Sequence, residues 1–414
     1  MLDSGGDPKD NRARWAWLCL KPRHTFIVNE HGLLVDNQLH EQDFWLTAQQ
    51  IQGRSTVEEQ NLQAHTGLPF TGGLIGVASY SAGLQLEGVP SRHSSKSPQI
   101  IAADYTNVIA YDRQSQRCWW ISQNGDQPPN IPATPPQPVA PKLTFSTDFS
   151  QEEWIETVQK VRQHIEAGDI FQANLTTRYI AELPVDFDEL GAYMHLRALS
   201  PAPFGAYFKT PLLSLLSASV ERFLALSSDG IVETRPIKGT APAINDLEIQ
   251  AAKLRRDTKE NAENLMITDL MRHDLGRICA LGSITVPELC SVERFAHVLH
   301  LVSCVTGQLP QESNAMELLR ATLPPGSVTG APKHKALQII DALERSNRGT
   351  YCGTLFRIGR DGAMDSSVII RSAERCGAHL SIGAGGGITW PSDPQKEYAE
   401  TALKAAALLK AFGE

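Results

Sequence analysis

Two short acidic patterns offer the first chemistry. KENAE carries Glu260 and Glu263, and SDPQKEYAETALKA carries Glu397 and Glu400, with Lys404 four residues further on. Three-residue spacing on a helix puts both members of a pair on one face, about a turn apart. Taken singly, either pair reads first as a solvated acidic face, the first beside Lys253, Arg255 and Arg256. Two such pairs on separate helices point further. A hard cation such as Mg²⁺ takes oxygen ligands, keeps some of its waters and needs one or two protein carboxylates.

A lone cation is the second feature. Lys238 sits in IVETRPIKGTAPA, between a threonine-bearing strand end and a Gly-Thr turn. An amine attacks carbon only when neutral, so a nucleophilic lysine needs burial or a nearby cation to lower its pKa. The third feature is glycine. SIGAGGGITW places Gly383, Gly385, Gly386 and Gly387 together. Such a run either lets backbone N–H groups cradle an anion or makes a tight strand-to-helix connection. LPPGSVTGAPKHKA lacks the Gly-Lys-Ser/Thr ending of a phosphate loop, so nucleotide binding is not expected. His297 and His300 form H-x-x-H without the glutamate of a helical zinc protease. No cysteine elbow accompanies a His-x-Glu dyad, since His164 and Glu166 fall on an amphipathic helix, so the chain has no expected glutamine-hydrolysing site of its own.

These residues must be positioned by elements that the sequence also marks. In SQEEWIETVQKVRQHIEAGDI (150–170), Ser150 and Glu153 have capping-box spacing and Trp154, Val158, Val161 and Ile165 form one apolar stripe, which predicts a helix. One long helix is expected over about 246–271, and others over 313–322, 332–345 and 394–412. Strands are expected at 24–30, 100–112, 117–123, 172–183, 205–210, 212–219, 222–228, 230–235, 351–358, 365–373 and 377–383. Strands before helices, with hairpin-like spacings, predict α+β layers rather than a doubly wound parallel sheet. Prolines crowd QPPNIPATPPQPVAPK, which predicts a spacer at 127–142 between a β-rich region (1–126) and the main unit (143–414).

Composition limits the partners. With 414 residues and a net charge of −8, the chain is a poor match for nucleic acid or a membrane surface. Seven scattered cysteines without a C-x-x-C pair suit a reducing compartment. No apolar run approaches the roughly 18–20 residues that span a bilayer, and the polar N-terminus is unlike a signal peptide. A cytoplasmic protein is expected.

Assembled in order, the motifs resemble those of the chorismate-utilising enzyme family. The matching strings include GDIFQANLT (168–176), ETRPIKGT (233–240), KENAENLMITDLMRHDLGRI (259–278), PPGSVTGAPK (324–333), IIRSAE (369–374), GAGGGI (383–388) and SDPQKEYAETALKA (392–405). The resemblance implies a chorismate-binding fold of two packed layers of mainly antiparallel sheet with helices outside. In that family the residue before Gly-Thr separates reaction types. Alanine marks members that aminate ring carbon C2, the anthranilate synthases, and lysine marks those that aminate C4.

Lys238 therefore implies amination of chorismate to 4-amino-4-deoxychorismate through a lysine adduct at C2. Anthranilate synthesis is the alternative. Ammonia would come from a separate glutamine amidotransferase subunit. The resemblance further implies Glu263 and Glu400 as Mg²⁺ ligands supported by Glu260 and Glu397, Glu221 as general acid, and His300 near the leaving hydroxyl. It assigns Tyr351, Arg371, Gly385 and Gly387 to the enolpyruvyl carboxylate, and Thr329, Gly330 and Lys404 to the ring carboxylate.

Overall fold

The structure is a computed structural model and describes residues 1–53, 56–131, 137–242, 246–294 and 298–413. Residues 132–136 of the proline-rich spacer and His297 lie outside the described residues. Two large sheets carry the fold, one of 11 strands and one of 12, and every pairing between described strands is antiparallel. The first runs from Ser146–Thr147 through Gln172–Glu182, His379–Ile388, Ser372–Cys376, Ser214–Ser219 and Phe204–Lys209 to the N-terminal strands Leu2–Asp3, Trp15–Cys19, Asn107–Asp112 and Arg117–Ser122. The second begins at Ile237–Pro242 and Val298–Gln308 and continues through Arg222–Leu226 and Met364–Val368 to Gly73–Ala78 and His24–Asn29. Strands from residues 1–126 thus extend both sheets.

Alternation along the strands explains the layers. Leu215 packs between the sheets with Ala206, Phe208, Ile75, Val77 and Leu355. Its neighbours Leu216 and Ala218 face the other way, against Leu196 of helix Glu189–Leu199 and Leu408 and Phe412 of helix Pro394–Phe412. The fold is α+β, with sheet on sheet and helices covering the outer face of the first sheet.

The helix at 151–166 forms as expected, with both bonds of the Ser150–Glu153 capping box in place. The long helix expected over 246–271 is two helices, Leu247–Arg256 and Thr258–Gly276. Asp257 adopts an extended backbone (ψ 111°) and its side chain accepts from the amides of Lys259 and Glu260, so it caps the second helix and ends the first. The strand expected at 365–373 is also two, Met364–Val368 in the second sheet and Ser372–Cys376 in the first. Between them the chain crosses from one sheet to the other, and Arg371 takes a left-handed φ of 50°. Expected strand 100–112 likewise divides into Ile100–Tyr105 and Asn107–Asp112, one for each sheet. Short helices at Phe44–Gln52, Val57–Thr66 and Tyr80–Leu86 carried no clear sequence signal.

Candidate active site

A second crossing runs beside the first. Ser214–Ser219 belongs to the first sheet and Arg222–Leu226 to the second, so Val220 and Glu221 bridge them. The crossings are stitched together: Val368 N donates to Glu221 O at 3.1 Å, and Ala218 N to Arg371 O at 3.0 Å. Glu221 and Arg371 are thereby fixed where the chain changes sheets. Both line a cleft of about 610 Å³, a size suited to a small ligand.

Lys238, from strand Ile237–Pro242, enters the same cleft. Its ammonium makes no hydrogen bond or salt bridge among the described residues, and it faces the charges of Glu221 and Glu400. Nζ lies 3.3 Å from where a β-carbon on Gly387 would stand. The glycine leaves room for the amine. Glu221 is 8% exposed. Burial pushes its carboxyl up, against a hydrogen bond from Ser327 and the nearby Lys238 and Arg371. His300, on the neighbouring strand Val298–Gln308, is also buried. Burial and then Arg371 push its imidazole down to about 4, so it is neutral near pH 7.

The glycines of 383–387 form neither a separate nest nor a strand-to-helix turn. They lie in strand His379–Ile388, paired along one edge with Gln172–Glu182. Lys404 Nζ donates to Gly385 O at 3.1 Å, which shows that this carbonyl points away from the paired strand. The N–H and C=O of one strand residue share an edge, so beyond the pairing with Ser372–Cys376, which ends at Ile382, the amides of Gly385 and Gly387 line the open side. Gly383 also makes room for the Tyr351 ring, which a β-carbon would overlap. Tyr351 is buried, and that burial keeps its phenol protonated.

Both carboxylate pairs reach this cleft: Glu260 and Glu263 from helix Thr258–Gly276, and Glu397 and Glu400 from helix Pro394–Phe412. Burial, followed by repulsion from Glu263, pushes Glu260 up. Burial does the same to Glu397, which also accepts from Ser392 Oγ at 2.7 Å. Glu400, the exposed member of the set, is pulled down by Lys404, 2.8 Å away. As arranged here, no three His, Cys, Asp or Glu side chains among the described residues converge closely enough to hold a metal ion. The donor set still fits a hard cation. It is all oxygen, and Glu263 Oε1 is buried without a hydrogen-bond partner.

Thr329 and Gly330 stand behind the cleft wall. The Thr329 amide and hydroxyl both return to Gly326 O, at 3.1 and 3.0 Å, and Gly330 pairs with Ala173. Their neighbours Ser327 and Val328 face the cleft, as does Asn174, which sequence reasoning missed. Arg348 fixes two of these liners from beneath, donating to Val328 O at 2.9 Å and Asn174 O at 2.6 Å while paired with Glu344. Gln172 was also missed; its buried Oε1 lacks a partner among the described residues and lies 3.8 Å from the Gly387 β-carbon position.

The chain belongs to the chorismate binding enzyme family, which matches residues 7–410. Aminodeoxychorismate synthase component 1 of Klebsiella aerogenes is 39% identical over 358 residues, covering 84% of this chain and 78% of the relative. Anthranilate synthase component 1 of Thermus thermophilus is 36% identical over 373 residues, covering 84% and 79%. The crystal structure of anthranilate synthase component I from Streptococcus pneumoniae superposes with a TM-score of 0.83 at 29% identity, covering 95% of this chain and 91% of that one. Among the described residues no helix is long and apolar enough to cross a membrane.

Proposed function

We infer that this chain is a cytoplasmic enzyme that aminates chorismate at C4, forming 4-amino-4-deoxychorismate. The carrying observation is the unpaired Lys238 amine inside the cleft, held open by Gly387. In the proposed reaction the neutral amine forms a bond to ring C2, the ring double bonds shift, and the C4–O bond breaks. The departing hydroxyl takes a proton and leaves as water. Glu221 is the suited donor, because burial pushes its carboxyl up from the ordinary carboxylate range, whereas the neutral His300 can orient the hydroxyl. Ammonia then attacks C4, the double bonds shift back, and the C2–N bond breaks to return Lys238.

The substrate carboxylates find Arg371, Lys404 and the amides of the glycine strand edge. Glu263 and Glu400, backed by Glu260 and Glu397, would hold a Mg²⁺ ion, which supplies charge stabilisation at a substrate carboxylate. Glu263→Gln is expected to lower turnover more than about 100-fold, a loss near 3 kcal/mol in the barrier, and excess chelator to do the same to the parent. Full turnover in chelator removes the metal. Ammonia would be delivered by a separate glutamine amidotransferase subunit.

Purified protein given chorismate, Mg²⁺ and ammonium at mildly alkaline pH tests the reading, with products identified by mass. Aminodeoxychorismate, which retains the enolpyruvyl group, supports it. Fluorescent anthranilate instead would favour the second reading, to which the 36% identity with the Thermus thermophilus relative lends weight.

A further inference from the structure

Lys259 has no part in the roles assigned above. It follows Thr258 at the start of the helix that carries Glu260 and Glu263. Its ammonium lies 3.7 Å from Glu263 Oε1 and 3.6 Å from Glu397 Oε1, so one cation spans the two acidic helices. Both separations exceed the reach of an N–H···O hydrogen bond, about 3.2 Å, so the group is not locked in place. The two carboxylates it bridges are nearly buried, at 10% and 6% side-chain exposure, while the lysine side chain is 42% exposed and has solvent to move into. Glu263 Oε1, although buried, keeps no hydrogen-bond partner.

Four carboxylates on two facing helices repel one another, and burial strengthens that repulsion. Lys404 answers Glu400 at 2.8 Å, and Lys259 is the cation placed between Glu263 and Glu397. A lysine ammonium suits a temporary occupant, being a compact charge on a flexible stem.

We propose that Lys259 is a built-in stand-in for the divalent ion, holding the carboxylates in the unloaded cleft and swinging to solvent when the ion enters. This rests on the carboxylate metal site proposed above. Lys259 and a dication cannot share the gap between Glu263 and Glu397, so the lysine weakens metal binding while it steadies the metal-free protein. The same displacement would free the carboxylates to draw together, which fits their failure to converge in the lysine-bridged arrangement.

Calorimetric titration with Mg²⁺ alone tests this on the full chain, comparing the parent, Lys259→Met and Lys259→Arg, with thermal midpoints recorded in chelator. Removing one unit charge at this range in a half-solvated site is expected to tighten Mg²⁺ binding by about tenfold in Lys259→Met. The same variant should melt lower than the parent without metal and gain more from added Mg²⁺. Lys259→Arg, which keeps the charge, should stay near the parent on both measures. Equal or weaker Mg²⁺ binding by Lys259→Met, with the parent still binding, overturns the stand-in role alone. An unchanged midpoint in chelator also overturns it. No Mg²⁺ binding by any of the three removes the metal site itself, and this inference with it.

Discussion

Lys238 Nζ lies 3.3 Å from the point where a β-carbon on Gly387 would stand, so the smallest side chain on one sheet makes room for the reactive amine on the other. Ala at 387 would press on that amine with little else to disturb, because Gly387 has no left-handed φ to lose. Gly387→Ala is expected to cut kcat by about tenfold or more through misplacement of the nucleophile, with the thermal midpoint nearly unchanged. Steady-state kinetics and a melting curve on one preparation check both halves.

Glu221 gives a prediction in which activity and stability move oppositely. Burial raises its carboxyl pKa in the folded chain above the unfolded value. The folded state then holds the proton more tightly, so this group's contribution to stability is present below the unfolded pKa and is lost as pH rises through the folded one. Glutamine carries no such penalty. Glu221→Gln should melt higher than the parent at neutral pH and approach it below about pH 4, where both are uncharged. Its kcat should fall about 10²–10⁴-fold for want of the proton donor. A variant that melts lower at neutral pH contradicts the assignment.

Arg348 is a structural counterpart, almost fully buried and paired with Glu344 at 2.7 Å. Its guanidinium also lies 4.3 Å from the centre of the Tyr80 ring. Arg348→Met takes the paired cation from the buried Glu344 carboxylate, which keeps the Thr176 amide and hydroxyl, and strands two carbonyls, those of Val328 and Asn174. The expected cost is about 3–5 kcal/mol, read from denaturant unfolding. A loss below about 1 kcal/mol would show that water replaces the guanidinium.

Local spacing by itself marks some of these features. The capping box at Ser150 and the helical pairing of Glu260 with Glu263 and Glu397 with Glu400 each depend on neighbours three apart, which the chain shows directly. What stayed hidden depends on crossing between sheets. Nothing local to SVERF or VIIRSAE announces that Glu221 and Arg371 sit at paired crossings, tied by Val368 N to Glu221 O and Ala218 N to Arg371 O. Asn174 and Gln172 enter through the pairing of Gln172–Glu182 with the glycine strand, a long-range register. Thr329 and Gly330, expected at the ring carboxylate, stand behind the wall, where the short 3₁₀ helix Gly326–Val328 presents Ser327 and Val328 to the cleft. The break at Asp257 was readable in hindsight, because an aspartate two and three residues before capped amides is a helix start.

The central claim is that Lys238 bonds to the substrate. Protein incubated with chorismate and Mg²⁺ but no ammonia source should accumulate the adduct, and peptide mapping by mass should find chorismate less one water on Lys238. Lys238→Ala should carry no such adduct and form no aminodeoxychorismate when ammonium is added. An unmodified Lys238 in the parent, together with undiminished aminodeoxychorismate from Lys238→Ala, would contradict the account.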